Sequence, residues 1–242
     1  MNSSKNGSTA IQIVPTCIPQ SADDMRAGMR AVSAFSSAIH LDIDDGVFTP
    51  NASWPFDKKG SERREVKGID TAIDTPVDNF LMQVHLMVSG GRELHTIAED
   101  FINAGAGSLI AHVESLEGDT DTLGAWALLG VGEIGVAILI DTPLEKLDPL
   151  LPFCDFIHVM SVAAIGAQGA PFEPRAIERV KTLHEAHPDF PIAVDGGVSL
   201  DNIASLVRAG ATRFSIGSDI MRAPDPAQEY AYLKAAAENA LQ

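Results

Sequence analysis

FINAGAGSLIAHVE, residues 101–114, and LVRAGATRFSIGS, residues 206–218, carry the same joint twice. In each, an amphipathic segment runs up to a glycine, Gly105 or Gly210, and a short apolar run begins about three residues later. Glycine accepts the left-handed backbone that closes a helix, so both joints read as helix, stop, strand. The same rhythm extends outward in both directions. Strands are expected at 11–18, 38–45, 80–88, 108–115, 133–141, 156–162, 191–198 and 213–220, with helix-like segments between them. Ser21 with Asp24 has the spacing of a capping box before DDMRAGMRAVSAF. Eight strands alternating with eight helices in a chain of 242 residues predict a (β/α)8 TIM barrel over 11–242, preceded by a flexible leader over 1–10. The alternative, a doubly wound open sheet that binds nucleotides, lacks the G-x-G-x-x-G after its first strand.

Composition narrows the function. No apolar run reaches the ~18 residues of a membrane span, and MNSSKNGSTA has no apolar signal core. Cys17 and Cys154 form no framework or metal spacing and read as free thiols of a reducing cytosol. A cytoplasmic protein is therefore expected, and assembly as a homo-oligomer is expected with it. The net charge of −16 argues against nucleic-acid and anionic-membrane surfaces. An anionic ligand must be captured by local groups against that field. One segment departs from the acidic trend: DKKGSERREVK, residues 57–67, holds five basic and three acidic residues inside the long 46–79 connection. It reads as a solvated surface excursion, with a lid or subunit contact as the alternative.

The second strand, AIHLDIDDGVF at 38–48, alternates apolar and polar residues, and the polar ones are expensive to bury unpaired. A strand's side chains alternate faces, so His40 and Asp42 point the same way. His85 and Asp195 fall near the ends of strands three and seven. In a barrel the C-terminal strand ends converge on one mouth, where active sites are built. His40, Asp42, His85 and Asp195 together predict a divalent-metal site, zinc first, with iron, manganese or cobalt as alternatives. A single His-x-Asp is more often an ion pair; four groups at matching strand ends favour a metal. At the ends of strands seven and eight, Gly196-Gly197 and Gly217-Ser218 read as a place where backbone N–H groups approach a phosphate.

In order along the chain, IVPTCI, HLDIDDGVFTPN, VHLMV, HVES, HVMSV, VDGGV and IGSDI resemble the ribulose-phosphate 3-epimerases and their ketose-phosphate epimerase relatives, over roughly residues 11–235. The resemblance implies metal-dependent epimerisation at C3 of a phosphorylated ketose, through an enediolate. It implies His40, Asp42, His85 and Asp195 as metal ligands, and Asp42 and Asp195 as the acid/base pair on opposite faces of the substrate. Inversion needs two groups because a lone one returns the proton to the face it came from. By the same resemblance Thr16, Met87 and Met160 line the pocket, and His112 and Glu114 stand behind it. His158 reads as a packed interior histidine.

Several residues depart from the family pattern. Thr16 stands for a serine, Val47 for a histidine, and Asp44 for a methionine facing the enediolate region. Asp44 should point inward and repel the intermediate unless it is paired or protonated, which marks it as a specificity candidate. The family's N-P-G-F-G-G-Q phosphate loop is replaced by AAIGAQGAPF, residues 163–172, where Gly166 and Gly169 remain to supply backbone donors. The alternatives are an epimerase for another phosphorylated ketose, such as a hexulose or tetrulose phosphate, and a non-catalytic sugar-phosphate binder. Related barrels with decarboxylase or aldol chemistry use D-x-K-x-x-D, and the matching strand here has no lysine.

Overall fold

The computed structural model describes residues 10–56 and 80–242. The basic run at 57–67 and most of the leader expected at 1–10 lie outside the described residues. Eight strands form one closed parallel ring in sequence order: β1 Gln12–Cys17, β2 Ala38–Asp44, β3 Leu81–Met87, β4 Ser108–His112, β5 Glu133–Ile138, β6 Phe156–Met160, β7 Ile192–Asp195 and β8 Arg213–Ile216. Closure pairs β8 back to β1 with Ile13 opposite Phe214, so the expected TIM barrel is the observed fold and the open sheet is not.

The helices are α1 Ala22–Val32, α2 Arg92–Asn103, α3 Val113–Leu116, α4 Thr120–Leu128, α5 Arg175–Ala186, α6 Ile203–Ala209, α7 Ser218–Met221 and α8 Pro226–Asn239. Ser21 caps α1, its Oγ accepting from Asp24 N–H at 3.1 Å. The Asp24 carboxylate answers one residue earlier than a standard capping box, accepting from Gln20 N–H. Gly105 and Gly210 take φ of 94° and 114°, the left-handed stops that the opening joints predict.

The strict strand–helix alternation is corrected in three places. Strand four ends at His112 and the chain turns at once into α3, so Glu114 sits on a helical turn. Strand eight ends at Ile216, and Ser218 opens α7. Between β5 and β6 the chain makes only two 3₁₀ turns, Leu144–Lys146 and Leu151–Phe153, where Pro143, Pro149 and Pro152 exclude a continuous helix.

Parity along the strands separates two interiors. On β2, Ile39, Leu41 and Ile43 join the large apolar layer between barrel and helices, which also contains Met25, Met29, Phe101 and Trp126. His40, Asp42 and Asp44 face the axis, as their contacts with one another's neighbours show. Beneath the polar residues the barrel axis is filled by an apolar cluster of Ile110, Ala137, Phe156 and Ala193. Against that cluster the Arg213 guanidinium lies 4.8 Å from the Phe156 ring centroid and forms a two-pronged pair with Glu133 at 3.0 and 3.1 Å. The polar residues collect above the apolar cluster, where the strands' C-terminal ends open to a cavity.

Candidate active site

Three strands, β2, β3 and β7, bring together the four residues that the sequence singled out as ligands. In-register pairing puts Asp42 beside His85, and Asp195 beside Met160 and Ser215. Asp42 Oδ1 lies 3.1 Å from His40 Nε2 and 3.0 Å from His85 Nδ1. Asp195 Oδ2 lies 3.7 and 3.6 Å from the same two nitrogens. Four ligands about 2.0–2.1 Å from a tetrahedral zinc stand roughly 3.3–3.4 Å apart, so these four separations bracket that spacing. His158 joins them: the donor atoms of His40, His85, His158 and Asp195 all lie within 4.8 Å of one another.

Hydrogen bonding behind the histidines fixes which nitrogens are free. His40 Nδ1 is 2.7 Å from the Gln83 side-chain oxygen, which only accepts, so Nδ1 carries the proton and Nε2 presents a lone pair. His85 Nε2 faces His112 Nε2 at 2.9 Å. Burial, reinforced by the charge of His85, lowers His112 to about 4, so His112 is neutral. Its Nδ1–H points at Glu114 Oε2, 3.2 Å away. His112 Nε2 is therefore an acceptor, and His85 Nε2–H is the donor. Glu114 is held below the usual carboxylate range despite its burial by hydrogen bonds from His112 and Thr142, and it also accepts from Leu139 N–H.

The result is an arrangement in which ring lone pairs and carboxylate oxygens meet at about 3 Å. Such atoms repel unless a proton or a cation lies among them. Protons supply part of that charge. Burial works against an imidazolium at His85, yet hydrogen bonds to Asp195 and Asp42 raise it to about 9. Burial and mutual repulsion oppose ionisation of Asp42 and Asp195, but their histidine partners lower both. A divalent ion bound by His40, Asp42, His85 and Asp195 would satisfy the same four atoms, with the outward nitrogens of both histidines already engaged as metal ligands require. His158 is different. Burial lowers it to about 4, and its Nε2 is 3.3 Å from Asp195 Oδ2 while Nδ1 has no partner. A neutral imidazole beside a carboxylate places its proton on Nε2, which makes His158 a hydrogen-bond donor to Asp195.

Asp42 and Asp195 form part of the wall of a cavity that continues over Thr16, Met87 and Met160 to Gly166, Gly169, Gly196, Gly197, Gly217 and Ser218. Every pocket residue expected from the sequence thus lines one cavity. The Thr16 hydroxyl is buried there without a hydrogen-bond partner. Among the described lining residues there is no lysine or arginine. Sequence reasoning missed Gln168, which lines the same cavity and donates from its side chain to Thr16 O at 3.1 Å. It also missed Gln83 and Ser215, both at His40 Nδ1.

Asp44 is fully buried and lies outside the cavity lining. Thr49 Oγ1 stands 2.9 Å from its Oδ1 and 2.7 Å from Asn51 O, while Oδ2 has no partner. One hydroxyl proton cannot serve two acceptors at once, so both contacts are made when Asp44 carries a proton. Burial first, and the charge of Asp42 second, raise Asp44 to about 7. The neighbouring Asp45 makes the turn at Gly46, its carboxylate accepting from Val47, Phe48 and Ser89 N–H at 2.7 Å each. Val47, which stands for a histidine in the family pattern, is 62% exposed.

A family model described as the Ribulose-phosphate 3 epimerase family matches residues 12–221. The chain belongs to that family. It is 32% identical to ribulose-phosphate 3-epimerase of Escherichia coli (strain K12), over 85% of this chain and 87% of that one. It is likewise 32% identical to the Chlamydia pneumoniae enzyme of the same name, over 85% of each chain. Among solved structures, KGPDC from Streptococcus mutans superimposes with a TM-score of 0.67 at 12% identity, covering 96% of this chain and all of that one, a likeness of barrel fold. Membership in the ribulose-phosphate 3-epimerase family makes the chain an enzyme of the isomerase class, and the buried histidines with Asp195 are a group able to hold a divalent metal.

Proposed function

We propose that this protein is a metal-dependent 3-epimerase that interconverts D-ribulose 5-phosphate and D-xylulose 5-phosphate. The observation that carries the reading is the cavity itself, with Asp42 and Asp195 in its wall at one end, His40 and His85 behind them within 3.1 Å of Asp42, and a glycine-rich lining without lysine or arginine at the other. His40, Asp42, His85 and Asp195 hold the metal, and mixed imidazole and carboxylate ligation makes zinc the first choice, with iron, manganese or cobalt as alternatives. When bound, the metal supplies positive charge that stabilises the enediolate oxygens.

Asp42, from β2, and Asp195, from β7, exchange protons with C3 from opposite faces. One removes the C3 proton and the other returns one, and the roles reverse for the other epimer. Their histidine partners lower both carboxylates, which keeps the accepting one ionised; the one on the opposite face must enter the step protonated, gives that proton to C3 and is left ionised, so turnover exchanges the states of the pair. Met87 and Met160 give that end an apolar wall, and the Thr16 hydroxyl offers an unpartnered group to a substrate oxygen. Gly166, Gly169, Gly196, Gly197, Gly217 and Ser218 bind the phosphate through backbone groups, which suits an anion site in a protein of strongly negative charge.

The deciding experiment follows exchange of the C3 hydrogen with deuterated water on ribulose 5-phosphate and on a panel of tetrulose and hexulose phosphates, with zinc, manganese, iron or cobalt added. Exchange and epimerisation of ribulose 5-phosphate are expected. Exchange only with another ketose phosphate reassigns the substrate, and none with any sinks the enzymatic reading.

We also propose a cytoplasmic, single-domain protein over 11–242 that assembles as a homo-oligomer. Two free cysteines and the lack, among the described residues, of a helix long and apolar enough to cross a membrane support the first part. Leu128, 90% exposed at the end of α4, with exposed Leu129 and Phe153, supports the second. Sedimentation as a monomer at micromolar concentration would exclude it.

A further inference from the structure

The departures from the family pattern at Asp44 and at the 163–172 loop meet in one place. The chain after β2 folds back on itself, closed by an antiparallel bridge between Asp45 and Ala52. The chain after β6 does the same, closed by a bridge between Val162 and Phe172. Residues 165–170 of this second loop line the cavity together with Gly196, Gly197, Gly217 and Ser218, and Gln168 packs close against Gly217.

A chain of polar contacts joins the two loops. Asp44 is anchored by the strand, its N–H donating to Ser53 Oγ at 2.8 Å, and Ser53 Oγ donates to Asp42 O at 3.1 Å. The Asp44 carboxyl meets Thr49 Oγ1, Thr49 meets Asn51 O, and the Asn51 side-chain amide donates to Gly166 O at 3.0 Å. Gly166 is seated directly on this chain. It has φ of +83°, and a Cβ there would lie 2.7 Å from Thr49 Cβ and 3.1 Å from Asp44 Oδ1. Only a residue without a side chain fits that approach and that backbone.

We propose that Asp44, Thr49 and Asn51 form a polar clasp that positions the 163–172 loop, and that through this loop they set how the cavity receives the phosphate end of its substrate. Asp44 and Thr49 are positioning residues: they touch Gly166 and Asn51, and Asp44 is outside the cavity lining. The inference rests on the phosphate reading of the glycine-lined end, and it explains why a carboxyl can stand beside Asp42 without facing the intermediate. Asp42 and Asp195 are held by strand pairing and by their histidine partners, whereas Thr49 and Asn51 bond to Asp44, to each other and to Gly166. Loss of the clasp therefore falls on substrate binding and leaves the proton-transfer groups in place.

Two variants cut two different links. Thr49→Val removes the hydroxyl at nearly constant volume, and Asn51→Ala removes the amide. In each, backbone amides of 163–172 should exchange with deuterium faster than in wild type, by about three- to tenfold, the range a single hydrogen bond supports. KM for ribulose 5-phosphate should rise by a similar factor while kcat and the affinity for zinc stay close to wild type. Thr49→Ser, which keeps the hydroxyl, should restore both readouts. Wild-type amide exchange in both Thr49→Val and Asn51→Ala overturns the clasp, whether or not the protein turns over any substrate. Faster exchange with KM unchanged for the substrate that is turned over overturns its link to phosphate binding. If the unaltered protein turns over nothing, the proposed function fails while the exchange measurement still decides the clasp.

Discussion

His85 Nε2 and His112 Nε2 face each other at 2.9 Å, with His112 backed by Glu114. The direction of this chain is set from its outer end. Glu114 accepts, neutral His112 donates its one N–H to Glu114, and His85 must donate inward of that. The consequence for the site is that a neutral His85 has no choice of tautomer: Nδ1 presents its lone pair to the centre. Glu114 thus does for His85 what the Gln83 side chain does for His40.

Removing Glu114 should loosen that orientation and weaken metal binding. Glu114→Ala is expected to lower zinc affinity by about 10- to 100-fold, the effect typical of partners that orient a ligating histidine. Competition against a chromophoric chelator measures this without any assay of turnover. Glu114→Gln, which keeps an acceptor for His112, should lose less. Equal zinc affinity in Glu114→Ala and wild type would remove this role.

The two carboxylates are separable by isotope. Asp195→Asn should abolish epimerisation, with losses of at least about 10²–10⁴-fold expected for an acid/base group. If Asp42 and Asp195 serve opposite faces, the variant still exchanges the C3 hydrogen of the one epimer that Asp42 deprotonates, and it exchanges neither hydrogen without Asp42. Bound zinc must be measured alongside, because Asp195 is also a proposed ligand. Wild-type turnover in Asp195→Asn takes it out of the acid/base role.

Much of this site is visible in the strand period. His40, Asp42 and Asp44 share a face because every second residue must, and the closed ring turns that parity into an inward direction. Gln83 and His158 obey the same parity with His85 and Met160, yet their partners lie on other strands, and a single sequence carries no register between strands. The end of β4 is hidden for another reason. VESL at 113–116 has the apolar content of a strand and the spacing of a helical turn, so local pattern alone does not choose. Thr49, Asn51 and Gln168 sit in loops, where no period exists to reveal which way a side chain points. Asp44 shows the limit most clearly. Parity gave its direction, but only the loop geometry supplied the hydroxyl that makes a buried carboxyl tolerable there.

Removing the metal should make stability depend on pH in a window belonging to His85. In the metal-free site, His85 is raised to about 9 by Asp195 and Asp42 against the opposing effect of burial. A histidine in the unfolded chain titrates near 6.5. A folded value above the unfolded one means the native state holds the proton more tightly, so this contribution is complete below about 6.5 and is lost as pH rises through about 9. Asp42 and Asp195 are lowered and remain ionised throughout that range, and His112 and His158, both near 4, remain neutral. Between pH 7 and 9 His85 dominates: Asp44, raised to about 7, finishes its own titration at the lower edge, and the buried Cys17 thiol, pushed up to about 12, enters only at the upper edge. The loss is on the order of 2–3 kcal/mol, which for a chain of this size lowers Tm by about 5–10 °C. Calorimetry of chelator-treated protein should show that decline, and zinc should remove it, because a bound cation supplies the charge that the proton no longer does. Zinc should also raise Tm more at pH 9 than at pH 7 at equal free concentration, since at pH 7 it must displace the His85 proton. A metal-free Tm that stays flat from pH 7 to 9 would mean that His85 does not carry the compensating charge between Asp42 and Asp195.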